Sequence, residues 1–235
     1  TNPDSGDRAR RTGNWNYDTL WPTPTCMAKH MLLDHLGYHG FVADNLKIFH
    51  KYQGSIKPPG DAYDLHPGYL GAPKQLSSID WLTDHGSVLH AMAQNALLSG
   101  DEQILEESLE PILKGCEFLR DARRNSKHDG AKGVLPPAVA TDTGVATQAV
   151  WNIAWNYKGL DSAVRLLRRI GHPSADEFAV EAREYKEAFV NAYRERAATM
   201  PSWTGDDGVE HRVAPTGLFG PEMQSHPFFL DTGPM

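Results

Sequence analysis

The sequence lacks the features that mark membrane proteins and nucleic-acid-binding proteins. No apolar run reaches the roughly 18 to 20 residues that a membrane-spanning helix needs, so a soluble chain without membrane contact is expected. The 23 Lys and Arg residues are outnumbered by 30 Asp and Glu residues, which gives a formal net charge of -7. Lys and Arg form no long run beyond Arg8 to Arg11. This balance argues against a phosphate-backbone partner, and no nucleic acid is predicted.

Disulfide, metal and targeting signals are equally sparse. The two cysteines, Cys26 and Cys116, fall on predicted apolar helix faces, where packed free thiols are expected. The 11 histidines show no metal-ligand spacing, since even His35 and His39 lie on either side of a glycine at a helix end. No metal and no cofactor are predicted. Residues 1–14 lack the apolar core of a signal peptide, but the first residue is Thr, so a leader could already be gone and the compartment stays open.

Helical periodicity is what the sequence does contain, most clearly from residue 84 onwards. Residues 84–97 are apolar on almost every side, which predicts an inner helix enclosed by protein, and a turn follows at Gly100. The next helix is an outer one, and Pro111 is expected to split it. Its single apolar stripe at three-and-four spacing consists of Leu105, Leu109, Ile112, Cys116 and Leu119.

The same unit of two helices and a long loop occurs three times, as in a degenerate repeat. The predicted helical hairpins occupy residues 20–52, 84–124 and 148–198. The loop over residues 53–80 is rich in proline and glycine, and Tyr63, His66 and Tyr69 give it the character of a structured lid. The tail, residues 199–235, is irregular apart from an extended piece near residues 209–213.

The order of these pieces resembles the six-hairpin glycosidases, which include glucoamylase-like, trehalase-like and processing-glucosidase-like enzymes. The central segment DHGSVLHAMAQNALLSGDEQILEESLEPILKGCEFL carries the resemblance best. It is flanked by LLDHLGYHGFVADNLKIFHKYQGSI, KGVLPPAVATD and WNYKGLDSAVRLLRRIGHPSADEFAVEAREYKEAF. The resemblance covers residues 15–200. It implies an all-α fold, a sector of an (α/α)6 toroid, and hydrolysis of glycosidic bonds with inversion.

The chain holds three hairpins where the family has six. A complete ring at this repeat length needs about 400 residues. Residues 1–235 are therefore expected to be a single domain that forms the N-terminal part of an (α/α)6 catalytic domain. The remainder of the toroid would come from the same longer chain or from another chain.

Two carboxyl groups are candidates for catalysis. Glycoside hydrolysis needs one carboxylic acid that protonates the leaving oxygen and a second carboxylate that activates water or attacks the sugar. The resemblance implies that Asp142, in the loop before the third inner helix, is the acid, although Asp142 can equally cap that helix. Glu222 in the tail is an outside candidate for the second carboxylate. The family usually takes that group from later hairpins, so the isolated chain is expected to be inactive.

Tryptophans are the main candidates for sugar binding, because flat aromatic rings stack on the C–H faces of sugars while polar groups bind the hydroxyls. Trp15, Trp21 and Trp151 lie at or near the starts of inner helices and are predicted platforms. Trp81 belongs to the same group. Trp155, one turn further into its helix, is expected to be a core residue.

Polar candidates stand beside these tryptophans. Asp18 and Asp84 open the first and second inner helices, where members of the family hold sugar hydroxyls. Each can equally be an N-cap. His85 follows Asp84 and is proposed as a further sugar contact, although a lone histidine is more often structural.

Two other functions remain open. The chain could belong to another carbohydrate-active toroid enzyme, such as a phosphorylase, lyase or epimerase. It could also be a non-catalytic helical-repeat module that binds carbohydrate. The sugar, the linkage and the anomeric specificity are not determined by these residues, because a fold does not name its substrate.

Overall fold

A computed structural model describes residues 20–71, 80–140 and 144–220. The fold is all-α, as predicted: helices dominate, and the strands are short. The described residues form α1 (Pro22–Thr25), α2 (Met31–His35), α3 (His39–Tyr52), α4 (Thr83–Ser99), α5 (Glu102–Arg124), α6 (Val150–Arg169) and α7 (Ala175–Ala198). The strands are β1 (Ala138–Val139), β2 (Ala146–Thr147), β3 (Ser202–Thr204) and β4 (Glu210–Arg212). No helix in these ranges is both long and apolar enough to cross a membrane.

The helices pair into three hairpins in the predicted order. In the first, α1 and α2 are joined without a break by a π-helical stretch, Cys26–His30, which the sequence pattern did not predict. Pro22 occupies the first turn of this helical run, where a missing N–H leaves no helical bond unmade. The second hairpin turns at Gly100, which adopts a left-handed φ of 62°, and Asp101 then caps α5 by accepting from the N–H groups of Gln103 and Ile104.

The hairpins pack as two layers. α4 lies in the middle of one layer, with α1 and α2 on one side and α6 on the other. The second layer consists of α3, α5 and α7, each of which packs on a helix of the first layer. α4 is buried along most of its length, from Thr83 to Ala96, whereas α5 buries one face through Ile112, Cys116 and Leu119. This is the inner and outer distinction that the two hydrophobic patterns predict.

The prediction that Pro111 splits the outer helix is wrong. α5 runs without a break from Glu102 to Arg124 with Pro111 inside it. Proline removes the hydrogen bond to the carbonyl four residues earlier, which belongs here to Glu107. Glu107 is exposed, so water can take the place of the lost donor. Apolar residues before and after Pro111 pack against the same core, and that burial favours a continuous helix.

The loop that precedes α4 is a structural strap, which corrects the predicted lid over its described part, residues 53–71. Tyr63 and Tyr69 are buried, and the Tyr63 hydroxyl donates to the carbonyl of Pro136 at 2.8 Å. Gln53 donates to the carbonyls of Gly68 (3.0 Å) and Pro111 (2.9 Å), which ties the strap to α5. His66 is half-buried and contacts Asp121 at 3.3 Å. These bonds fix the loop to α5 of the outer layer and to the segment around Pro136.

Candidate functional site

The three inner helices begin at one end of the molecule, which we call the rim. The backbone N–H and hydroxyl of Thr23, in α1, both donate to Asp84 Oδ1, at 2.9 and 2.6 Å. At the start of α4, the carbonyl of Leu82 accepts from the Asn156 amide of α6 at 3.0 Å. The Leu82 N–H donates to the carbonyl of Val139 at 2.9 Å. These long-range bonds fix the starts of α1, α4 and α6 beside one another.

Asp84 is a structural anchor of this rim. Its Oδ1 accepts both bonds from Thr23, and its Oδ2 accepts from the backbone N–H of Trp81 at 3.1 Å. The residue is 1% exposed. The carboxylate thus joins the first turn of α4 to α1 and to the segment before α4. It is not the N-cap that the sequence left as the alternative, because that position is Leu82 and α4 has no side-chain cap. A sugar contact by Asp84 is not supported by this placement.

His85 is held in the same structural manner. Its Nδ1 accepts from the backbone N–H of Leu70 at 3.0 Å, and its Nε2 lies 3.1 Å from the carbonyl oxygen of Gly115. The neutral Nε2–H tautomer satisfies both bonds. The ring is fully buried between Tyr69 and Phe118, and burial lowers the pKa of His85 to about 3. His85 therefore joins the strap, α4 and α5, and it has no ring nitrogen left for a sugar.

Asp80 is a polar group that the sequence analysis missed. Its carboxyl group is half-buried, accepts from the Tyr69 hydroxyl at 3.2 and 3.3 Å, and shares a hydrogen bond with Asp84. Burial, together with the charge of Asp84, raises the pKa of Asp80 well above its usual value. Asp80 and Asp84 are four residues apart, one before and one after the start of α4, and this spacing is the sequence signal that could have identified the pair.

The Asp80–Asp84 pair retains a proton at higher pH than isolated carboxyl groups do. Burial raises the pKa of Asp84 to about 6, against the opposing effect of the bonds from Thr23 and Trp81. Two carboxyl groups that share a hydrogen bond cannot both ionise easily. Asp84 carries the bonds that favour the charged form, so Asp80 is the member that keeps the proton. A neutral carboxylic acid at the rim can donate a hydrogen bond or a proton.

Four tryptophans stand at or near the rim in two pairs. Trp21 and Trp81 stack with ring centroids 5.4 Å apart and an interplanar angle of 28°. Trp151 meets Trp155 edge to face at 5.9 Å. All four are half-buried, so the expectation that Trp155 is a core residue is only partly met. The Lys158 ammonium lies 5.9 Å from the centroid of the Trp155 ring, a cation–π contact that further fixes this indole.

Four predicted site residues lie outside the described residues: Trp15, Asp18, Asp142 and Glu222. The chain on either side of Asp142 is nonetheless held at the rim. β1 and β2 pair antiparallel, with Val139 opposite Ala146. Val139 donates to the carbonyl of Pro59 at 2.8 Å and accepts from Leu82. The strand pair that carries the loop with Asp142 is therefore attached to the starts of α4 and α6.

The tail returns to the same end of the molecule. The backbone N–H of Gln148 donates to the carbonyl of Phe219 at 2.8 Å, and the backbone N–H of Leu218 donates to the carbonyl of Gln148 at 2.9 Å. The backbone N–H of Val150, the first residue of α6, donates to the carbonyl of Thr216 at 2.9 Å. The predicted extended piece near residues 209–213 is β4, which pairs with β3. The tail thus pairs with the chain at the start of the third inner helix through an isolated β-bridge between Ala149 and Gly217.

Trp203 on β3 is a second candidate that the sequence analysis did not consider. It is 51% exposed, whereas the rim tryptophans are half-buried. Its ring stacks on His211 of β4, with centroids 5.4 Å apart and an interplanar angle of 26°. The pairing of β3 with β4 creates this stack. No local sequence pattern around Trp203 specifies that pairing.

Among the described residues, no group of three or more His, Cys, Asp or Glu side chains is arranged to hold a metal ion. Cys26 and Cys116 are free and buried, and burial raises the pKa of each thiol. What the rim offers a ligand is therefore the half-buried aromatic surface of its tryptophans, because Asp84 and Asn156 are buried and hold the helices together.

No protein-family model matches the sequence, and no curated protein matches it at a significant level.

Proposed function

We propose that this chain forms part of the substrate-binding rim of a glycoside hydrolase with an (α/α)6 fold. The enzyme would hold an oligosaccharide or glycoside between tryptophan rings and hydrolyse a glycosidic bond with a pair of carboxyl groups. The observation that carries the proposal is the convergence of two tryptophan pairs and of the strand pair on either side of Asp142 at the shared starts of three inner helices.

The two-layer packing supports the toroid part of this proposal. Inner helices that lie side by side, each covered by its outer partner, are the repeating unit of a double ring of helices. Three units make a sector. Further hairpins, from a longer chain or another chain, would complete the ring.

The chemistry expected at the rim follows the two-carboxyl scheme. Asp142, the proposed general acid, would give its proton to the glycosidic oxygen as the bond from the anomeric carbon breaks and its electron pair moves to that oxygen. A second carboxylate would take a proton from water as the water oxygen bonds to the anomeric carbon. Glu222 is the candidate within this chain. Water attack from the opposite face gives inversion.

Substitution of Asp142 tests the acid role in the natural protein that contains this chain. Asp142→Asn should lower turnover of a substrate with a poor leaving group by about 100-fold to 10,000-fold, while the melting temperature stays close to that of the wild type. A substrate with a good leaving group needs less protonation and should lose less activity. Asp129→Asn, which alters an exposed acid in the same loop, is the matched control and should retain full turnover.

The outcomes separate the competing functions. If Asp142→Asn has the turnover of the wild type but a lower melting temperature, Asp142 acts as a helix cap and not as the acid. Turnover that requires inorganic phosphate would identify a phosphorylase instead. Sugar binding without any turnover by the natural protein would favour a binding module.

A further inference from the structure

We infer that the β3–β4 hairpin carries a separate carbohydrate-binding platform, centred on Trp203, which contacts sugar units beyond those held at the rim. The inference rests on the proposed function and extends it by naming the substrate class. The substrate would be an oligosaccharide or polysaccharide chain of several units, not a disaccharide or a simple glycoside.

The geometry of Trp203 suits stacking on a sugar. Trp203 and His211 are directly opposite each other in the antiparallel pair, so their side chains lie on the same face of the hairpin. The imidazole stacks on the indole at 5.4 Å and limits its rotation. With half of its surface exposed, the indole offers flat apolar area in a fixed orientation. That combination is what a pyranose ring face needs from an aromatic partner.

The hairpin is anchored at its base and at its turn, although all residues of its two strands are exposed. A two-stranded hairpin alone is only marginally stable in water. Here the Arg212 guanidinium donates to the carbonyl of Ala198 at the end of α7 (2.8 Å), and Val213 donates to Pro201 (3.0 Å). In the turn, the N–H of Val209 donates to Asp207 Oδ1 at 3.0 Å. These bonds hold Trp203 in place before any ligand arrives, which reduces the entropy cost of binding.

The hairpin lies at the end of the molecule where the rim is. α7 packs antiparallel on α6, so the end of α7 lies near the start of α6. β3 follows α7 directly, and after β4 the chain pairs with residues 147–150 at the start of α6. Trp203 and Trp151 therefore belong to the same end of the third hairpin, which is the placement that the inference requires.

The polar groups around Trp203 favour a neutral ligand. Exposed Asp206, Asp207 and Glu210 are accompanied by Arg212 and His211, so donors and acceptors for hydroxyl groups are both present. The excess of carboxylates disfavours a polyanion such as nucleic acid or a uronic-acid chain. A neutral sugar chain, whose C–H faces stack while its hydroxyls bond to these groups, fits both features.

Length-resolved binding tests the inference in the 235-residue chain. Immobilised α- and β-linked gluco-, manno- and xylo-oligosaccharides of two to six units serve as probes, and the best-bound series is then titrated in solution. We expect Trp203→Ala to weaken binding of the six-unit ligand by about five- to tenfold and to leave binding of the two-unit ligand unchanged. Trp203→Tyr should restore most of the loss. Trp151→Ala should weaken binding of both lengths.

Tyr38→Ala is the matched control, because Tyr38 is 58% exposed and lies at the hairpin turn between α2 and α3, at the opposite end. It should not change binding of either length. Equal affinity of wild type and Trp203→Ala for six-unit ligands overturns the inference and leaves the proposed function in place. Failure of the wild-type chain to bind any probe overturns both. A change in oligomeric state on Trp203→Ala, without any loss of sugar binding, assigns the hairpin to a protein interface instead.

Discussion

Gly86 of α4 and Gly159 of α6 lie against each other, so the backbones of the two inner helices are in direct contact. A Cβ atom on Gly86 would lie 2.4 Å from the carbonyl carbon and oxygen of Trp155. A Cβ atom on Gly159 would lie 2.6 Å from the carbonyl oxygen of Gly86. The close crossing brings Asn156 to the carbonyl of Leu82, and hence it positions the rim.

We predict that Gly86→Ala is destabilising by about 2 to 3 kcal/mol, because the added methyl group meets backbone that cannot move without separating the inner helices. Denaturant unfolding followed by circular dichroism measures the change. Gly40→Ala is the control: Gly40 lies in α3 with open space around its Cα, so alanine should stabilise it by up to about 1 kcal/mol. If Gly86→Ala is as stable as the wild type, the backbones of α4 and α6 are not in direct contact at Gly86.

The Asp80–Asp84 pair should make stability depend on pH. Unfolded aspartates have a pKa near 4, and the folded pair holds its proton to higher pH, so between these values the native state binds more protons. The contribution of this pair to the free energy of unfolding should then decrease as pH rises from about 4 through 6. In Asp80→Asn this decrease should be smaller by about 1 to 2 kcal/mol, since the variant can still accept from Tyr69 and has no charge to repel Asp84.

Urea unfolding of wild type and Asp80→Asn at a series of pH values from 4 to 8 checks this difference. The other groups around the pair, Thr23, Tyr69, the Trp81 amide and the Cys26 thiol, are the same in both proteins. Asp64→Asn, which changes an exposed aspartate in the strap, should give a curve parallel to that of the wild type. A parallel curve for Asp80→Asn as well would show that the two carboxyl groups do not share a proton.

His85 should remain neutral well below the usual range for histidine. Its pKa is lowered to about 3 by burial, so the contribution of His85 to stability should decrease as pH falls below about 6.5, where unfolded histidine begins to bind a proton. This contribution has the opposite sign to that of the Asp80–Asp84 pair. Nitrogen-15 NMR of the imidazole at pH 5 should show the neutral Nε2–H tautomer. Titration of His85 near pH 6.5 would mean that its bonds to Leu70 and Gly115 are not kept in solution.

The buried ion pair between Arg123 and Glu181 links α5 to α7 at 2.7 Å, with both side chains almost fully enclosed. We expect Glu181→Gln to cost about 3 kcal/mol of stability, because it leaves the Arg123 charge buried without a counter-charge. Glu177→Gln breaks the exposed pair with Arg120 and should cost less than about 1 kcal/mol. Similar melting temperatures for the two variants would mean that the Arg123 guanidinium is satisfied by its other partners, which include the Gly133 carbonyl.

Trp151 should act in ligand binding more than in folding, because it is half-buried at the start of α6. Trp151→Ala is expected to weaken oligosaccharide binding by about tenfold, with a change in melting temperature of only a few degrees. Calorimetric titration with the best-bound oligosaccharide and thermal unfolding of the same samples provide both values. A large loss of stability with unchanged affinity would make Trp151 a packing residue.

The sequence alone determined the helical class and the positions of the hairpins. Apolar periodicity distinguishes enclosed α4 from one-sided α5, and glycines at Gly37, Gly100 and Gly171 adopt positive φ values that local chemistry favours at helix ends. These signals depend on residues within a few turns of one another. Pro111 was misjudged because the packing of the whole helix outweighs a local preference.

Only the tertiary structure decided what the polar residues at the rim do. From the sequence, Asp84 could be a cap or a ligand-binding group, whereas in the structure its oxygens accept from Thr23, 61 residues away, and from the Trp81 N–H. His85 acquires both of its partners from other elements, and Asp80 acquires its raised pKa from burial next to Asp84. The Trp203 ring gains its stacking partner only when β4 brings His211 opposite it. Sequence patterns report local preference, whereas protonation, burial and partnership depend on contacts between residues that are distant in the chain.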